Sequence, residues 1–188
     1  MVSAIICSLG STDWSRVSTR LLEVVQKPAL QHMIDQLHLA QVLDVVLVIP
    51  QGDAGFQESL KSFNLKVAMS ENGHIDPLSA VLLGMRTIAE KDFHGVIVCP
   101  IEYPFISQAL VVDLLQAYWK SHKNIIIPLH DGKRGYPIIL GSDRFLDLHA
   151  VNSLHELIDS HQDDVMEVAM EESAAGRDID APAVVDLK

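Results

Sequence analysis

The amino-acid sequence predicts an α/β protein in which helices cover both faces of a mostly parallel β-sheet, giving three layers. Short apolar runs rich in Val and Ile alternate with segments whose apolar residues recur every three or four positions. Several of these runs are apolar at every position, which is typical of strands covered on both faces. Alternating strands and helices of this kind build a parallel sheet with right-handed crossovers.

The expected strands coincide with the short apolar runs. They cover residues 2–7, 45–49, 65–69, 96–99, 125–127, 137–140 and 165–170. The run at 125–127 is expected to end at Pro128, and residues 130–135 are expected to form a turn. The last run is expected to be a strand at the surface of the protein.

Besides a short helix over residues 56–63, four helices are expected between these strands. The first opens at Pro28, since proline is tolerated at the first helical position. The second carries an apolar stripe over residues 78–88. Ser107 is a suitable N-cap for the third helix. Ser153 and Glu156 have the spacing of a capping box at the start of the fourth.

Composition favours one domain, covering residues 1–188, and excludes some classes of partner. Hydrophobic residues make up 48% of the 188 positions, which is enough for one sizeable core. The 14 basic and 25 acidic residues give a formal net charge of −11, whereas nucleic-acid binding requires clustered Lys and Arg. No run reaches the roughly 18 apolar residues that span a bilayer. We therefore expect a cytoplasmic protein without a nucleic-acid or membrane partner.

The two cysteines indicate neither a disulfide framework nor a metal site. Cys7 and Cys99 both lie in apolar runs, and the sequence contains no CxxC motif. Two buried thiols in a reducing compartment are the simplest interpretation.

The predicted sheet selects where a ligand should bind. In open α/β sheets, ligands bind outside the carboxyl ends of the strands. This rule selects the loop after Cys7, the loop after Met69, the segment around Glu102 and the turn from Gly132 to Pro137.

The loop of residues 8–20 has the composition of a phosphate site. It contains Gly, Ser and Thr together with Arg16 and Arg20, and backbone N–H groups and guanidinium groups both bind phosphate. It matches neither the GxGxxG nor the P-loop motif. From the residues alone, an ordinary surface loop remains the alternative.

Two acidic segments could hold a cation beside such a phosphate. Glu102 lies just past an apolar strand, and Asp178 and Asp180 alternate in the C-terminal segment, so that they would project to one side if it is extended. Carboxylates of this kind bind Mg²⁺ together with substrate phosphates. The alternatives are a solvated glutamate and a polar C-terminal turn.

Several segments together resemble one known family. They are Ala4-Ile5-Ile6 with Gly10, Arg20-Leu21-Leu22, Gln26-Lys27-Pro28-Ala29-Leu30, Val96 to Pro104, Gly135-Tyr136-Pro137, and Asp178-Ile179-Asp180-Ala181-Pro182. In order and spacing they resemble the MobA-like nucleotidyltransferase family, especially its molybdenum-cofactor cytidylyltransferase branch. The resemblance runs over almost the whole chain, and the segment at 178–182 is its most specific part.

The resemblance implies both a fold and an activity. The fold would be a Rossmann-like sheet of the nucleotide-diphospho-sugar transferase type. The activity would be a Mg²⁺-dependent transfer of a nucleoside monophosphate from an NTP, with CTP or GTP expected, to a phosphorylated acceptor such as molybdopterin. Pyrophosphate would be released, and the protein would act as a monomer or homodimer.

The resemblance also implies roles for individual residues. The nucleotide-binding residues would be Leu9, Gly10, Ser11, Thr12, Arg20 and Ser79, of which Ser79 would lie near the base. The acceptor-side residues would be Gly135, Tyr136 and Pro137. The catalytic residues would be Arg16, Arg20 and Glu102. The metal ligands would be Glu102, in place of the family's aspartate, and Asp180.

The chain departs from the family pattern at these positions. The loop lacks a second glycine, Trp14 occupies the family's arginine position, and Arg20 replaces a lysine. Glu102 replaces an aspartate, and Tyr136 replaces a histidine. Two hypotheses follow: an active nucleotidyltransferase with a variant loop, or a catalytically impaired relative. The latter would bind a nucleotide or phosphorylated ligand, or would be a partner protein in cofactor assembly.

Overall fold

The structure is a computed structural model that describes residues 1–9, 21–22, 27–51, 57–58, 60–71, 75–88 and 93–170. Its strands are β1 (Val2–Cys7), β2 (Leu21–Leu22), β3 (Lys27–Pro28), β4 (Val45–Pro50), β5 (Lys66–Ser70), β6 (Gly95–Pro100), β7 (Ile125–His130), β8 (Lys133–Arg134), β9 (Ile138–Gly141) and β10 (Val165–Ala169). Its helices are α1 (Ala29–Leu39), α2 (Pro77–Thr87), α3 (Gln108–Ser121) and α4 (Leu154–Ser160). Short 3-10 turns cover Ser142–Arg144, Asp147–His149 and Gln162–Asp164.

One eight-stranded sheet dominates the described part of the chain. Its strand order is β10-β7-β9-β6-β1-β4-β5, and β8 pairs with β7 outside this path. The pairs β1–β4, β1–β6, β4–β5 and β7–β10 are parallel, whereas β9 runs antiparallel to β6 and β7. The predicted, mostly parallel sheet is therefore confirmed. The short strands β2 and β3 form a separate antiparallel pair, which the sequence analysis did not predict.

Helices lie on both faces of the sheet, as expected for three layers. Apolar residues of α1 and α3 belong to one core with Ala4, Ile6 and Leu47 of the sheet. Apolar residues of α2 and α4 belong to a second core, with Ile5 and Cys7. All six residues of β1 are buried because the strand has a core on each face.

Helices α3 and α4 begin at their predicted caps, whereas Pro28, predicted to open the first helix, ends β3, and α1 begins at Ala29. The Ser107 side chain accepts a hydrogen bond from Leu110 N–H at the start of α3, and the Ser153 side chain accepts one from Glu156 N–H at the start of α4. The reciprocal bond of a capping box is shifted by one residue, since Glu156 Oε2 accepts from Asn152 N–H. Of the helices that the structure describes, none has both the length and the apolar character needed to cross a bilayer.

The prediction that the strand ends at Pro128 is wrong. Strand β7 continues to His130, and Pro128 pairs with Val168 of β10. On the other side of β7, the ladder with β9 reaches only Ile126, so proline removes no bond from that ladder. The Pro128 carbonyl instead accepts a hydrogen bond from Gly135 N–H at 2.9 Å.

The edge strand β10 is fixed at its start by Asp164. Asp164 Oδ1 accepts from Asn124 N–H, and its Oδ2 accepts from Asn124 Nδ2 and from Arg144 Nε at 2.7 Å. Burial alone would raise the pKa of Asp164, but the bonds from Asn124 and Arg144 outweigh it and hold the pKa below its ordinary value. The ionised carboxylate therefore stabilises the attachment of β10 to β7.

We predict that Asp164→Asn lowers the free energy of unfolding by about 1–3 kcal/mol at pH 7, because it removes bonds to a charged acceptor. A carboxyl with a lowered pKa stabilises the fold above its unfolded pKa, and this contribution is lost as the pH falls through the folded pKa. The difference between variant and wild type should thus shrink below about pH 4. Denaturant titrations at pH 7 and below about pH 4 measure this difference in the free energy of unfolding.

Asp163→Asn is the control, since Lys123 donates its hydrogen bond to the backbone carbonyl of Asp163 and not to its side chain. An undiminished difference at low pH would contradict this assignment.

Candidate functional site

The ends of six strands meet at one edge of the sheet. Strands β1, β4, β5, β6, β7 and β10 all run in the same direction, so their carboxyl ends lie together. Strand β9 runs in the opposite direction, so the residues that precede it, Gly135, Tyr136 and Pro137, lie at the same edge. We call this the carboxyl edge. The described parts of all four segments that the sequence analysis selected lie along it.

Glu102 links the ends of the two central strands at this edge. The last ladder bond between β1 and β6 joins Ile101 N–H to the Cys7 carbonyl at 2.8 Å. Beyond it, Glu102 Oε1 accepts from Leu9 N–H at 3.0 Å and from Ser8 Oγ at 2.5 Å. Ser8 is only 1% exposed, and Leu9 packs partly buried against the second core. The sequence analysis predicted Glu102 and Leu9 as site residues but did not foresee that they bind each other.

In the described part of the chain, neutral side chains lie near this carboxylate. The Tyr103 and Tyr136 rings lie 5.5 Å apart and are almost fully buried. Burial raises the pKa of the Cys7 thiol to about 12, with a further contribution from the negative charge of Glu102. Burial also raises the pKa of Tyr136, and nearby Cys7, Tyr103 and Glu102 add to it. The thiol and the Tyr136 phenol are therefore uncharged at neutral pH.

Ser79 lies in a separate cleft at the end of β5. The cleft has a volume of ≈ 400 Å³ and is lined by Met69, Ser70, Glu71, Ile75, Asp76, Ser79, Leu83 and Arg86. Asp76 caps α2, because its Oδ1 accepts from Ser79 N–H and its Oδ2 from Ser79 Oγ. Burial would raise the pKa of Asp76, but these bonds lower it below its ordinary value. Strand β5 is two positions from β1 in the sheet, so the cleft lies about 10 Å from the end of β1 along the carboxyl edge.

The sequence analysis missed Asp76, Glu71 and Arg86 as cleft residues. Asp76-Pro77 was a readable signal, since Asp is a favoured N-cap and Pro is favoured directly after it. Nothing comparable distinguishes Glu71 or Arg86, because a single charged residue in a loop or helix is common at any surface.

Several predicted site residues lie outside the described residues. These are Gly10, Ser11, Thr12, Arg16, Arg20, Asp178 and Asp180. Within the described ranges, no group of three or more His, Cys, Asp or Glu side chains is close enough to hold a metal ion. At the ends of β1 and β6 the structure thus describes one of the two predicted metal ligands, Glu102. Its oxygen atoms suit a hard divalent cation that takes its other ligands from phosphates, water and a second carboxylate.

We predict that neither cysteine reacts with a thiol reagent at pH 8 in the folded protein. Thiol reagents need an exposed thiolate, whereas Cys7 and Cys99 are buried and burial raises the pKa of both. Titration with a chromophoric disulfide measures the reactive thiols, and the denatured protein, in which both should react, is the control. Rapid reaction of one thiol in the folded protein would contradict this prediction, because it would show that the reagent reaches the end of β1 or of β6.

Solved structures similar to this chain share its fold at low sequence identity. Rv0371c from Mycobacterium tuberculosis H37Rv superposes with a TM-score of 0.74 at 14% identity, covering 95% of this chain and 92% of that one. A manganese complex of Rv0371c gives 0.71 at 13%, covering 90% and 87%. The 4-diphosphocytidyl-2C-methyl-D-erythritol synthase from Anaerococcus prevotii gives 0.72 at 15%, covering 96% and 92%. A search of curated protein sequences finds no match to this chain.

A family model identifies the chain more directly. The model of the MobA-like NTP transferase domain matches residues 17–169, which include β2 to β10 and the four helices described above. The match spans most of the 188 residues, and the expected resemblance is confirmed. This chain belongs to the MobA-like NTP transferase domain family, a family of nucleotidyltransferases.

Proposed function

We propose that this protein is a Mg²⁺-dependent nucleotidyltransferase formed by a single domain of residues 1–188. It would transfer a nucleoside monophosphate from an NTP to a phosphorylated small-molecule acceptor. The observation that carries the proposal is the position of Glu102, whose carboxylate binds the start of the 8–20 loop where the central parallel strands end. Ligands of open α/β sheets bind at such a point.

The proposed donor and acceptor are those that the family resemblance implies. CTP or GTP as donor and molybdopterin as acceptor follow from the resemblance of the sequence motifs. The similar synthase from Anaerococcus prevotii carries a cytidyl group in its printed name, which supports CTP. The thermal-shift experiment below tests the donor separately from the acceptor.

The proposed reaction is a direct displacement at phosphorus. An oxygen of the acceptor phosphate forms a bond to the α-phosphorus of the NTP, and the bond from that phosphorus to the bridging oxygen of the leaving pyrophosphate breaks. No protein nucleophile is required, and the buried, uncharged Cys7 is unsuited to be one. The chain's contribution is to position the reactants and to stabilise the negative charge that develops.

The roles of individual residues follow this scheme. The triphosphate would be bound by backbone N–H groups of Leu9, Gly10, Ser11 and Thr12 and by the side chains of Arg16 and Arg20. The cleft around Ser79 would receive the base, and Gly135, Tyr136 and Pro137 would contact the acceptor. Glu102 and Asp180 would hold the divalent cation, which neutralises phosphate charge when bound. Manganese bound to the similar Rv0371c supports a divalent cation.

We predict that one nucleoside triphosphate raises the melting temperature in the presence of Mg²⁺. A ligand at 100 times its Kd stabilises the folded state by about 2.7 kcal/mol. Thermal melts with ATP, CTP, GTP and UTP, each with and without Mg²⁺, identify the donor. A cooperative melt that none of the four nucleotides shifts would contradict the nucleotide-binding part of the proposal.

We predict that Glu102→Ala abolishes Mg²⁺-dependent pyrophosphate release from the NTP identified by the melts, measured with a phosphorylated pterin acceptor. The substitution removes both the negative charge and the bonds to Ser8 and Leu9. Glu58→Ala is the control, since the Glu58 side chain is 71% exposed and pairs only locally with Lys61 in the described structure. Full activity of Glu102→Ala would contradict the assignment. Nucleotide binding by the wild type without any turnover would favour the catalytically impaired relative.

A further inference from the structure

We propose that Glu102 is a positioning residue whose carboxylate fixes the point at which the 8–20 loop leaves the sheet. This role rests on the proposed function for its effect on nucleotide binding, but the geometry that supports it does not involve a cation. It also gives a reason for glutamate at a position where the family has aspartate.

The backbone pairing of β6 with β1 ends directly before Glu102. The parallel ladder pairs Cys7 with Pro100, and its last bond joins Ile101 N–H to the Cys7 carbonyl. Tyr103 N–H then turns back to the Pro100 carbonyl at 3.0 Å, so the chain leaves the ladder. Leu9 N–H instead finds its acceptor in the Glu102 side chain. The carboxylate thus extends the pairing of β1 by one more residue.

The bond from Ser8 makes this attachment specific. Its hydroxyl is buried and donates to the same oxygen, Glu102 Oε1. A buried hydroxyl that lost its acceptor would retain the cost of its desolvation, and hydrogen bonds to a charged acceptor are stronger than neutral ones. Glu102 Oε2 is also buried. The side chain as a whole is partly buried, and its Oε1 binds the chain itself.

Substitutions that change either the length or the charge of the side chain distinguish a positioning role from that of a metal ligand. Aspartate keeps the charge but is shorter by one methylene, about 1.5 Å, which withdraws the carboxylate from Ser8 and Leu9. Glutamine keeps the length and an acceptor oxygen but lacks the charge. A positioning role therefore tolerates Glu102→Gln better than Glu102→Asp, whereas a role through charge alone predicts the reverse order.

Tryptophan fluorescence can report on the loop without turnover. The chain has two tryptophans, and Trp14 follows Leu9 by five positions within the loop. The other, Trp119, is 53% exposed at the far end of α3. A Trp119→Phe background therefore leaves Trp14 as the single reporter, read by its emission maximum and by acrylamide quenching.

The variants are Ser8→Ala, Glu102→Asp and Glu102→Gln, each in this background. Ser3→Ala is the matched control, because Ser3 is also fully buried on β1 and donates to a carboxylate, Asp44 Oδ2 at 3.0 Å, but at the opposite end of the strand. We expect Ser8→Ala and Glu102→Asp to change the emission and the quenching of Trp14 and to weaken nucleotide binding about tenfold, the loss of one charge-assisted bond. Glu102→Gln and Ser3→Ala should keep the emission of the background protein.

Two outcomes would overturn the inference. One is unchanged Trp14 emission and quenching in folded Ser8→Ala and Glu102→Asp. The other is an emission shift in Ser3→Ala as large as that in Ser8→Ala, which would trace the change to general destabilisation. Circular dichroism and melting temperature show that each variant is folded. If the wild type binds no nucleotide, the proposed function fails, while the emission data still decide the positioning role.

Discussion

The parallel pairing of β1 with β6 at the centre of the sheet determines the rest of the site. Six residues of β1 pair in register with β6, from Val2 with Gly95 to Cys7 with Pro100. Because both strands run in the same direction, Ser8 and Glu102 meet although 94 positions separate them in the sequence. A slip of one residue would exchange the two buried faces of the strand, so the two cores fix this register.

The same pairing brings buried, uncharged side chains close to the Glu102 carboxylate, and we call them the uncharged floor of the site. Cys7 ends β1, Tyr103 follows β6, and Tyr136 precedes β9, so three separate segments bring neutral, buried groups to one place. An apolar floor weakens dielectric screening, so the charge of Glu102 acts more strongly on its neighbours than it would in water. Burial raises the pKa of Cys7 and of Tyr136, and this charge adds to both.

Sequence patterns predicted the features that depend on neighbouring residues. Continuous apolar runs located the main strands, and Ser107 and Ser153 marked helix starts, because burial and capping are local. The direction of β9 was missed, since a short apolar run looks the same in either orientation. The bond from Ser8 to Glu102 was also missed, because it depends on the register of two strands distant in sequence.

The bonds at Glu102 also explain how a carboxylate can be accommodated in a partly buried position before any ligand binds. An isolated buried carboxylate would be strongly destabilising, whereas Leu9 N–H and the Ser8 hydroxyl stabilise this one within the chain. These donors come from the end of β1, so the charge is positioned when the central strands pair. Folding energy thereby orients Glu102 and the beginning of the loop together. Ligand binding then has a smaller entropic cost, because Glu102 and the beginning of the loop are already ordered. This is the physical advantage of a preorganised site.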